Sequence, residues 1–549
     1  MKKSIQSYIP LMGAVGVGRY YSGKESLWDD LSYTTEVAYE HSGLVYHVAV
    51  LMGFGLLLWY LFRTLVKYYY HQLVKDNALS LNDWLMQPEG PSVQSQLQLL
   101  VTHWMSAGGH VPRVEPVPLG QTESPFLPGL KVVVPSSTAT TTALAKDVVV
   151  VGTIRMGFGH HRIAYAACSW SLGQGTTTYF HDLLNITSPE ATLIQDMDKM
   201  YSKGSRLASE LGGVVEQLWG ALTLSGGTDA LRATYQMAEV VKPLLLAYPK
   251  DTPIVATHSL VALTAVACGF TNVINLVIDN HAQWFVVVPK ALNLVQGPTN
   301  YHNFLKMGVP PQELQLVGHW IPKDLCENVN HDCQARIQRR RQGSRPLRLL
   351  IPVGGAGAQR AFVTQLVQAL LPAVAQGTVQ LWLNAGDHVH MRQAFIDVLE
   401  KTQQDYTVIS TLQGVHDFVN TTRSGQEPVK PITLFTFQDY FPAVATTDLL
   451  VRVTDVLACK PSELAFYPVP KLHIRRVGDH EQYSALRASE LGDGTLEARH
   501  VQDALNYIHL FRTTPLLVNM NEKIMENGKI GIYDGCKKAI EIARQMKRK

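Results

Sequence analysis

The stretch VVVVGTIRMGFGHHRIAYAACSWSL, residues 148–172, decides the fold. Its opening β-branched run is long enough for one buried strand. Gly157, Phe158 and Gly159 follow, where a chain turns sharply and lets another group approach its backbone. The residues from Ile163 to Leu172 are mostly apolar or small and suit a helix. Strand, glycine turn, helix: the helix start offers free N–H groups and partial positive charge to an anion. The dinucleotide fingerprint GxGxxG is incomplete, because His160 and His161 take the next places. Such a turn either only connects a strand to a helix or builds a site. The two histidines give it chemistry.

Outward from that stretch the pattern alternates. Strand-like runs are DVVVVGTI, TPIVATHSL, VINLVID, WFVVVP and LQLVGHWI, and helix-like segments at 204–222 and 229–248 lie between them. This predicts a parallel sheet covered on both faces. The run ARIQRRRQGSRP, residues 335–346, reads as a linker. A second alternating set then opens with LRLLIPVGGAGAQ and continues through VQLWLNAGDH, YTVIST, ITLFTF, DLLVRVTDVLAC and PKLHIRRV. The expected fold class is α/β, with two Rossmann-like domains at 147–334 and 347–512. Residues 513–549 read as a helical segment ending in a basic amphipathic helix. Residues 63–146 read as a juxtamembrane region and irregular linker rich in Pro, Gly, Ser and Thr. Ligands of such sheets bind at the strand C-terminal ends. The second turn, with Gly354, Gly355 and Gly357, is shaped for a diphosphate and lacks the Walker lysine.

The chain has 549 residues and a net charge of +3, which argues against a nucleic-acid partner. Six cysteines are too sparse for a disulfide framework. CENVNHDC, with Cys326, His331 and Cys333, lacks a fourth ligand and CxxC spacing, so it reads as a polar loop and no metal site is expected. Residues 43–62, GLVYHVAVLMGFGLLLWYLF, carry no Asp, Glu, Lys or Arg and match the length of a membrane span. Acidic residues (Asp29, Asp30, Glu36, Glu40) precede it and basic ones (Arg63, Lys67, Lys75) follow. The expectation is a single-pass protein of the inner membrane, with residues 1–42 outside and the rest cytoplasmic. The alternative is a buried core helix.

On these motifs the chain from about Asp147 to Arg512 resembles GT-B fold glycosyltransferases. The likeness is above all to monogalactosyldiacylglycerol synthases and processive diacylglycerol glucosyltransferases, of the glycosyltransferase family 28 kind. The lipid-intermediate N-acetylglucosaminyltransferase of peptidoglycan synthesis is more distant. Gly157-Phe158-Gly159-His160 resembles their GGGH turn, and DMDKMY (residues 196–201) their acidic-Met-acidic-x-x-Tyr element. VATHSL resembles their histidine-bearing strand end, and VIDNHAQWF their strand-Asp-to-Trp-Phe element. GVPPQELQLVGHWIP resembles the stretch before their interdomain linker. LACKPSELAFYPVPKLHI resembles their donor motif, with Glu463 seven residues before Pro470, and GDHEQ resembles their sugar-facing element. Phe158 replaces a middle glycine, and the donor turn is shorter than the family's.

The resemblance implies a UDP-sugar donor, a membrane lipid acceptor such as diacylglycerol, inversion at the sugar carbon, and neither a metal nor another cofactor. It places Gly354, Gly355, Gly357 and either Arg452 or Lys460 on the diphosphate. Glu463 falls on the ribose, and Glu481 and Gln482 on the sugar. It places Gly157, Gly159, Asp196, His258 and Asp279 on the acceptor side. His160 is the expected base and His161 the alternative, since histidine titrates near neutrality. Plainer readings stand beside these: His258 bonded to backbone, Asp196 and Asp279 capping helices, Glu481 and Gln482 on the surface. Two other functions stay open, a catalytically silent membrane protein that binds a sugar nucleotide and a sugar-nucleotide epimerase.

Overall fold

The computed structural model describes residues 42–73, 81–87, 90–97, 99–100, 114–124, 126–136, 148–196, 198–199, 203, 227–343, 345–354 and 359–546. The helix expected at 204–222, Tyr201, Gly355 and Gly357 lie outside them. The chain forms two compact units, Met1–Tyr69 and Tyr70–Lys549.

Helix α1 spans Ser42–Leu73, so it runs well past the expected end at Phe62. Its segment Tyr46–Gln72 is long and apolar enough to cross a membrane, and its apolar window is not buried. The buried-core alternative therefore does not hold.

The larger unit holds two sheets. The first has β1 (Leu119–Glu123), β2 (Lys131–Pro135), β3 (Val149–Thr153), β4 (Thr178–Asp182), β5 (Ile254–Ala256), β6 (Val273–Leu276), β7 (Leu292–Val295) and β8 (Leu314–Leu316). Their order is β1-β2-β4-β3-β5-β6-β7-β8. Only the β1–β2 pair is antiparallel. The valine run is explained by two-sided burial: Val148 and Val150 enter one core, Val149 and Val151 the other. Helix α2 (Phe158–Gly173) follows β3, α3 (Thr228–Val241) precedes β5, and α4 (Ser259–Ala267) follows it.

Three departures from expectation have local causes. The β1–β2 hairpin falls in the stretch expected to be irregular; KVVVP pairs with it and extends the sheet edge through β4. WFVVVP is not a strand but a short 3₁₀ turn, Trp284–Val286. The Asn293 side chain takes both Val288 N and Val288 O at 2.9 Å, so those groups are lost to a ladder. The expected linker 335–346 is largely the end of helix α5 (Val329–Arg341), and CENVNHDC is helical as well. Arg336 is buried, and its guanidinium donates to Thr454 O (2.9 Å), Val451 O (2.6 Å) and Asn521 Oδ1 (3.3 Å). Arg339 reaches Asp455 at 3.0 Å. Its basic residues have partners in the second domain, so the run packs instead of linking.

The second sheet contains β9 (Leu347–Pro352), β10 (Val379–Gly386), β11 (Tyr406–Ile409), β12 (Ile432–Thr436), β13 (Val456–Cys459) and β14 (Lys471–His473). All pairs are parallel, in the order β11-β12-β10-β9-β13-β14. Helices α6 (Arg360–Ala375), α7 (Tyr440–Leu450) and α8 (Gln482–Glu490) belong to this domain. Helix α9 (Gly535–Met546) returns to the first: Cys536, Ala539, Ile540 and Ala543 share a core with Val149, Val151 and Ile163. The fold is the expected pair of Rossmann-like domains, the GT-B class.

Removing Arg336 leaves buried oxygens without their charged donor. Arg336→Ala is expected to cost about 2–4 kcal/mol, read as a fall in the urea midpoint. The exposed Arg341 is the control, and Arg341→Ala is expected within about 0.5 kcal/mol of the parent. Equal shifts for the two would mean that Arg336 does not hold the helix.

Candidate functional site

Each sheet reverses its strand order at one place. In the first this lies between β3 and β5, in the second between β9 and β13. Open α/β sheets bind ligands in the crevice at such switch points.

At the first, Gly157 turns the chain with φ 79° and ψ −169°, a conformation that favours glycine. His160 then sits in the first turn of α2, half-buried. Its Nδ1 lies 2.6 Å from Thr257 O. A carbonyl only accepts, so Nδ1 carries the hydrogen and the neutral ring keeps its lone pair on Nε2. The Thr257 hydroxyl donates back to His160 O at 3.0 Å. One bond to the ring and one to the backbone thus tie His160 to the residue that follows β5. Burial lowers the His160 pKa, His161 adds to that, and the Thr257 bond, Asp279 and Glu463 offset it in part.

His258 caps α4, its Nδ1 accepting from Leu260 N at 3.1 Å. Its ring is 4.5 Å from that of His160, and burial with that neighbour holds it well below the usual range. The plain reading of His258 as bonded to backbone describes its Nδ1. His161, the alternative base, is buried against Phe180, Tyr165 and Tyr440, with Nε2 3.1 Å from Asp182 Oδ2. Its ring is enclosed by these neighbours and 3% exposed, where His160 is half-buried. Asp279 follows β6, half-buried; Asn300 donates to its backbone oxygen at 3.0 Å, and its carboxylate makes no hydrogen bond among the described residues. It caps no helix. Asp196 is exposed and pairs with Lys199 at 3.1 Å; no contact links it to this cluster.

At the second switch point Lys460 follows β13 and lies across Gly354, which follows β9. A Cβ on Gly354 would stand 2.9 Å from Lys460 Cε, so a side chain there would displace the lysine from this course. Lys460 Nζ donates to Glu481 Oε1 at 2.5 Å, and Glu481 Oε2 accepts from Val477 N at 2.9 Å. Burial alone would discharge both. Their mutual attraction outweighs it, so the Lys460 pKa is raised and that of Glu481 lowered. Glu481 is therefore a buried counter-ion of Lys460 and not a surface residue. Gln482 is exposed at the start of α8. Arg452 is not at this point: Asp332 (2.9 Å) and Asp324 (2.6 Å) hold its guanidinium. Of the two basic candidates, only Lys460 stands beside the glycine turn.

Glu463 follows Lys460 in a short 3₁₀ turn. Its side chain is 9% exposed, yet its oxygens make no hydrogen bond among the described residues. Oε1 lies 3.9 Å from Arg162 Nε, and Oε2 would be 3.3 Å from a Cβ on Gly159. The carboxylate of the second domain therefore leans on the helix start of the first.

Several residues of this junction escaped the sequence reading. Arg162 is buried and donates to Val444 O (3.0 Å) and Asp448 Oδ1 (2.8 Å), which also accepts from Tyr467 OH at 2.8 Å. Tyr440 OH donates to Gly157 O at 2.7 Å. Phe158 shares a core with the second domain and packs on Gly386, His388 and Tyr440. That packing explains an aromatic residue in the middle of a glycine turn. Phe158, Arg162 and Tyr165 stand at i, i+4 and i+7, so helical spacing carried the signal. Across the cleft, Asn280 donates to Tyr483 O at 3.2 Å, and His281 stacks on Tyr483 with centroids 4.4 Å apart. A cavity lined by Trp170, Lys323, Lys537 and Arg544 lies towards the other end of α2. Among the described residues no group of three or more His, Cys, Asp or Glu is placed to hold a metal.

A family model described as "Domain of unknown function (DUF6937)" matches residues 121–306, and "Domain of unknown function (DUF6938)" matches residues 309–544. The first match begins inside β1, so it takes in most of the hairpin. No curated protein matches the chain. Among solved structures, a UDP-GlcNAc 2-epimerase from Neisseria meningitidis, bound to UDP-GlcNAc, is 11% identical with a TM-score of 0.43, over 72% of this chain and 100% of that one. The α,α-trehalose 6-phosphate synthase of Burkholderia multivorans is 12% identical with a TM-score of 0.39, over 73% and 99%. WaaG, a glycosyltransferase involved in lipopolysaccharide biosynthesis, is 12% identical with a TM-score of 0.35, over 72% and 99%. These are faint likenesses of chain trace; the fold class rests on the two sheets and their facing switch points.

Proposed function

We propose that this chain is a membrane-anchored glycosyltransferase that moves a sugar from a UDP-sugar to a lipid acceptor such as diacylglycerol, with inversion and without a metal. The observation that carries the proposal is Glu463: a half-buried carboxylate, its side chain 9% exposed, without a hydrogen bond among the described residues, next to Lys460 and close to His160. A carboxylate in that state is matched by ligand hydroxyls, and two ribose hydroxyls fit it.

In this reading the diphosphate lies against the Gly354–Gly357 turn and the start of α6, with Lys460 as its cation. Glu463 accepts from the ribose. The acceptor hydroxyl approaches from the His160 side. Its oxygen bonds to the sugar carbon as the bond from that carbon to the diphosphate breaks, and its proton goes to His160 Nε2. Thr257 keeps Nε2 free for that proton, and the lowered pKa keeps the ring neutral. Asp279 stands close enough to steady the imidazolium that results. Helix α1 holds the enzyme at the bilayer, and the basic residues Arg63 and Lys67 within it favour cytoplasmic domains.

The Lys460–Glu481 pair favours a second reading, a chain that binds the nucleotide without turnover, because the ammonium already has a carboxylate. UDP-sugars offered with membrane lipid extract separate the two. Glycolipid formation supports the transferase, and UDP binding without product supports the silent protein. Conversion of the sugar nucleotide with no lipid present marks an epimerase.

Four outcomes are expected. Glu463→Ala weakens UDP binding by about 1.5–3 kcal/mol in calorimetry, and an unchanged affinity removes Glu463 from the ribose. His160→Ala lowers turnover by about 10²–10⁴ with UDP affinity unmoved. The parent rate falls as pH drops and Nε2 is protonated, with a midpoint below about 6.5. A midpoint above that, or near-parental turnover of His160→Ala, sends the search for the base to Asp279 or His258. In sealed vesicles, protease is expected to digest the region after Leu73 only from the cytoplasmic side; digestion from the other side reverses the orientation.

A further inference from the structure

We infer that the first domain sets the nucleotide affinity of the second, with Gly159 and Arg162 as positioning residues for Glu463. The inference rests on the reading of Glu463 as the ribose-holding group.

Glu463 belongs to the second domain, but Arg162 and Gly159 of the first stand against its carboxylate. Arg162 Nε is buried, faces Oε1 at 3.9 Å and has no hydrogen-bond partner of its own. Nη1 of the same guanidinium donates to Val444 O and to Asp448, which restrains Nε. Its charge sits 3.9 Å from the carboxylate and attracts it without a hydrogen bond. On the other side Oε2 rests over Gly159, where a Cβ would stand 3.3 Å from it and 3.5 Å from Cδ. Contacts that close are tolerated only if a neighbour gives way. The carboxylate is the part free to move, because no described hydrogen bond holds it.

Gly159 has no backbone reason to be glycine. It lies inside α2, and it is absent from the positive-φ glycines. Alanine is the better helix former there. Its cost falls on Glu463 alone. Gly157 differs, since its own φ demands glycine. The two glycines of one turn therefore serve different masters: the first shapes the turn, and the second leaves room for a carboxylate of the other domain.

The test measures UDP affinity by calorimetry and thermal midpoint on the full chain, for Gly159→Ala in the parent and in Glu463→Ala. Expected in the parent is a Kd raised about fivefold to tenfold, part of the loss of a charged hydrogen bond, with a thermal midpoint unchanged or higher. In Glu463→Ala the same substitution leaves Kd unmoved. A damaged fold gives the opposite sign in the midpoint, so the two effects part. Arg162→Lys is the second variant, expected to weaken UDP binding only while Glu463 is present. An unchanged Kd for Gly159→Ala, or equal weakening in both backgrounds, overturns the inference. If Glu463→Ala itself leaves UDP binding unaltered, the ribose assignment falls first and this inference with it.

Discussion

A guanidinium that starts in one domain and ends inside the other governs this structure. Arg162 leaves α2 and is buried among the acceptors of α7. Burying that charge is tolerated because Asp448 answers it and Tyr467 completes the group. Phe158, one turn earlier, fills a hole in the second core. Once these two side chains are seated, the start of α2 has no freedom, and His160 rides on that start. The position of the imidazole is therefore fixed by packing two residues to either side of it rather than by its own contacts alone.

The second consequence concerns symmetry. Each sheet has one switch point, central in the first and off-centre in the second, and each brings one loop group against another. In the first, Thr257 clamps His160. In the second, Lys460 crosses Gly354. One side offers a neutral imidazole, and the other a closely paired cation. Burial acts on the two in different ways. It discharges the histidines, while the lysine stays charged because Glu481 is buried with it.

The alternation of strands and helices was plain in the sequence because both faces of each sheet are covered, which leaves continuous valine and leucine runs such as 148–151 and 347–351. The β1–β2 hairpin was hidden by its prolines, glycines and serines, which mark turns whether or not strands flank them. WFVVVP looks like a strand in every local respect; the side chain of Asn293, seven residues beyond Val286, makes it otherwise. The basic run at 335–346 misled because charge density was taken for solvation. Arg336 and Arg339 find oxygens far away in sequence. At the site, Gly157, His160, Lys460 and Glu463 were legible by residue type and place. Arg452 was not separable from Lys460, because its partners Asp324 and Asp332 lie more than a hundred residues upstream. The role of Arg162 depended on a contact between domains, which no local pattern encodes beyond its spacing from Phe158.

Helix α9 covers one face of the first sheet, where Cys536, Ala539 and Ile540 meet Val149, Val151 and Ile163. The strands beneath it are synthesised almost four hundred residues earlier. During translation that apolar face stays uncovered while the whole second domain emerges, and it closes only when residues 535–546 arrive. Premature termination within the second domain therefore yields a first domain with an adhesive flank, so the order of synthesis makes this helix the seal on a domain it does not belong to by sequence.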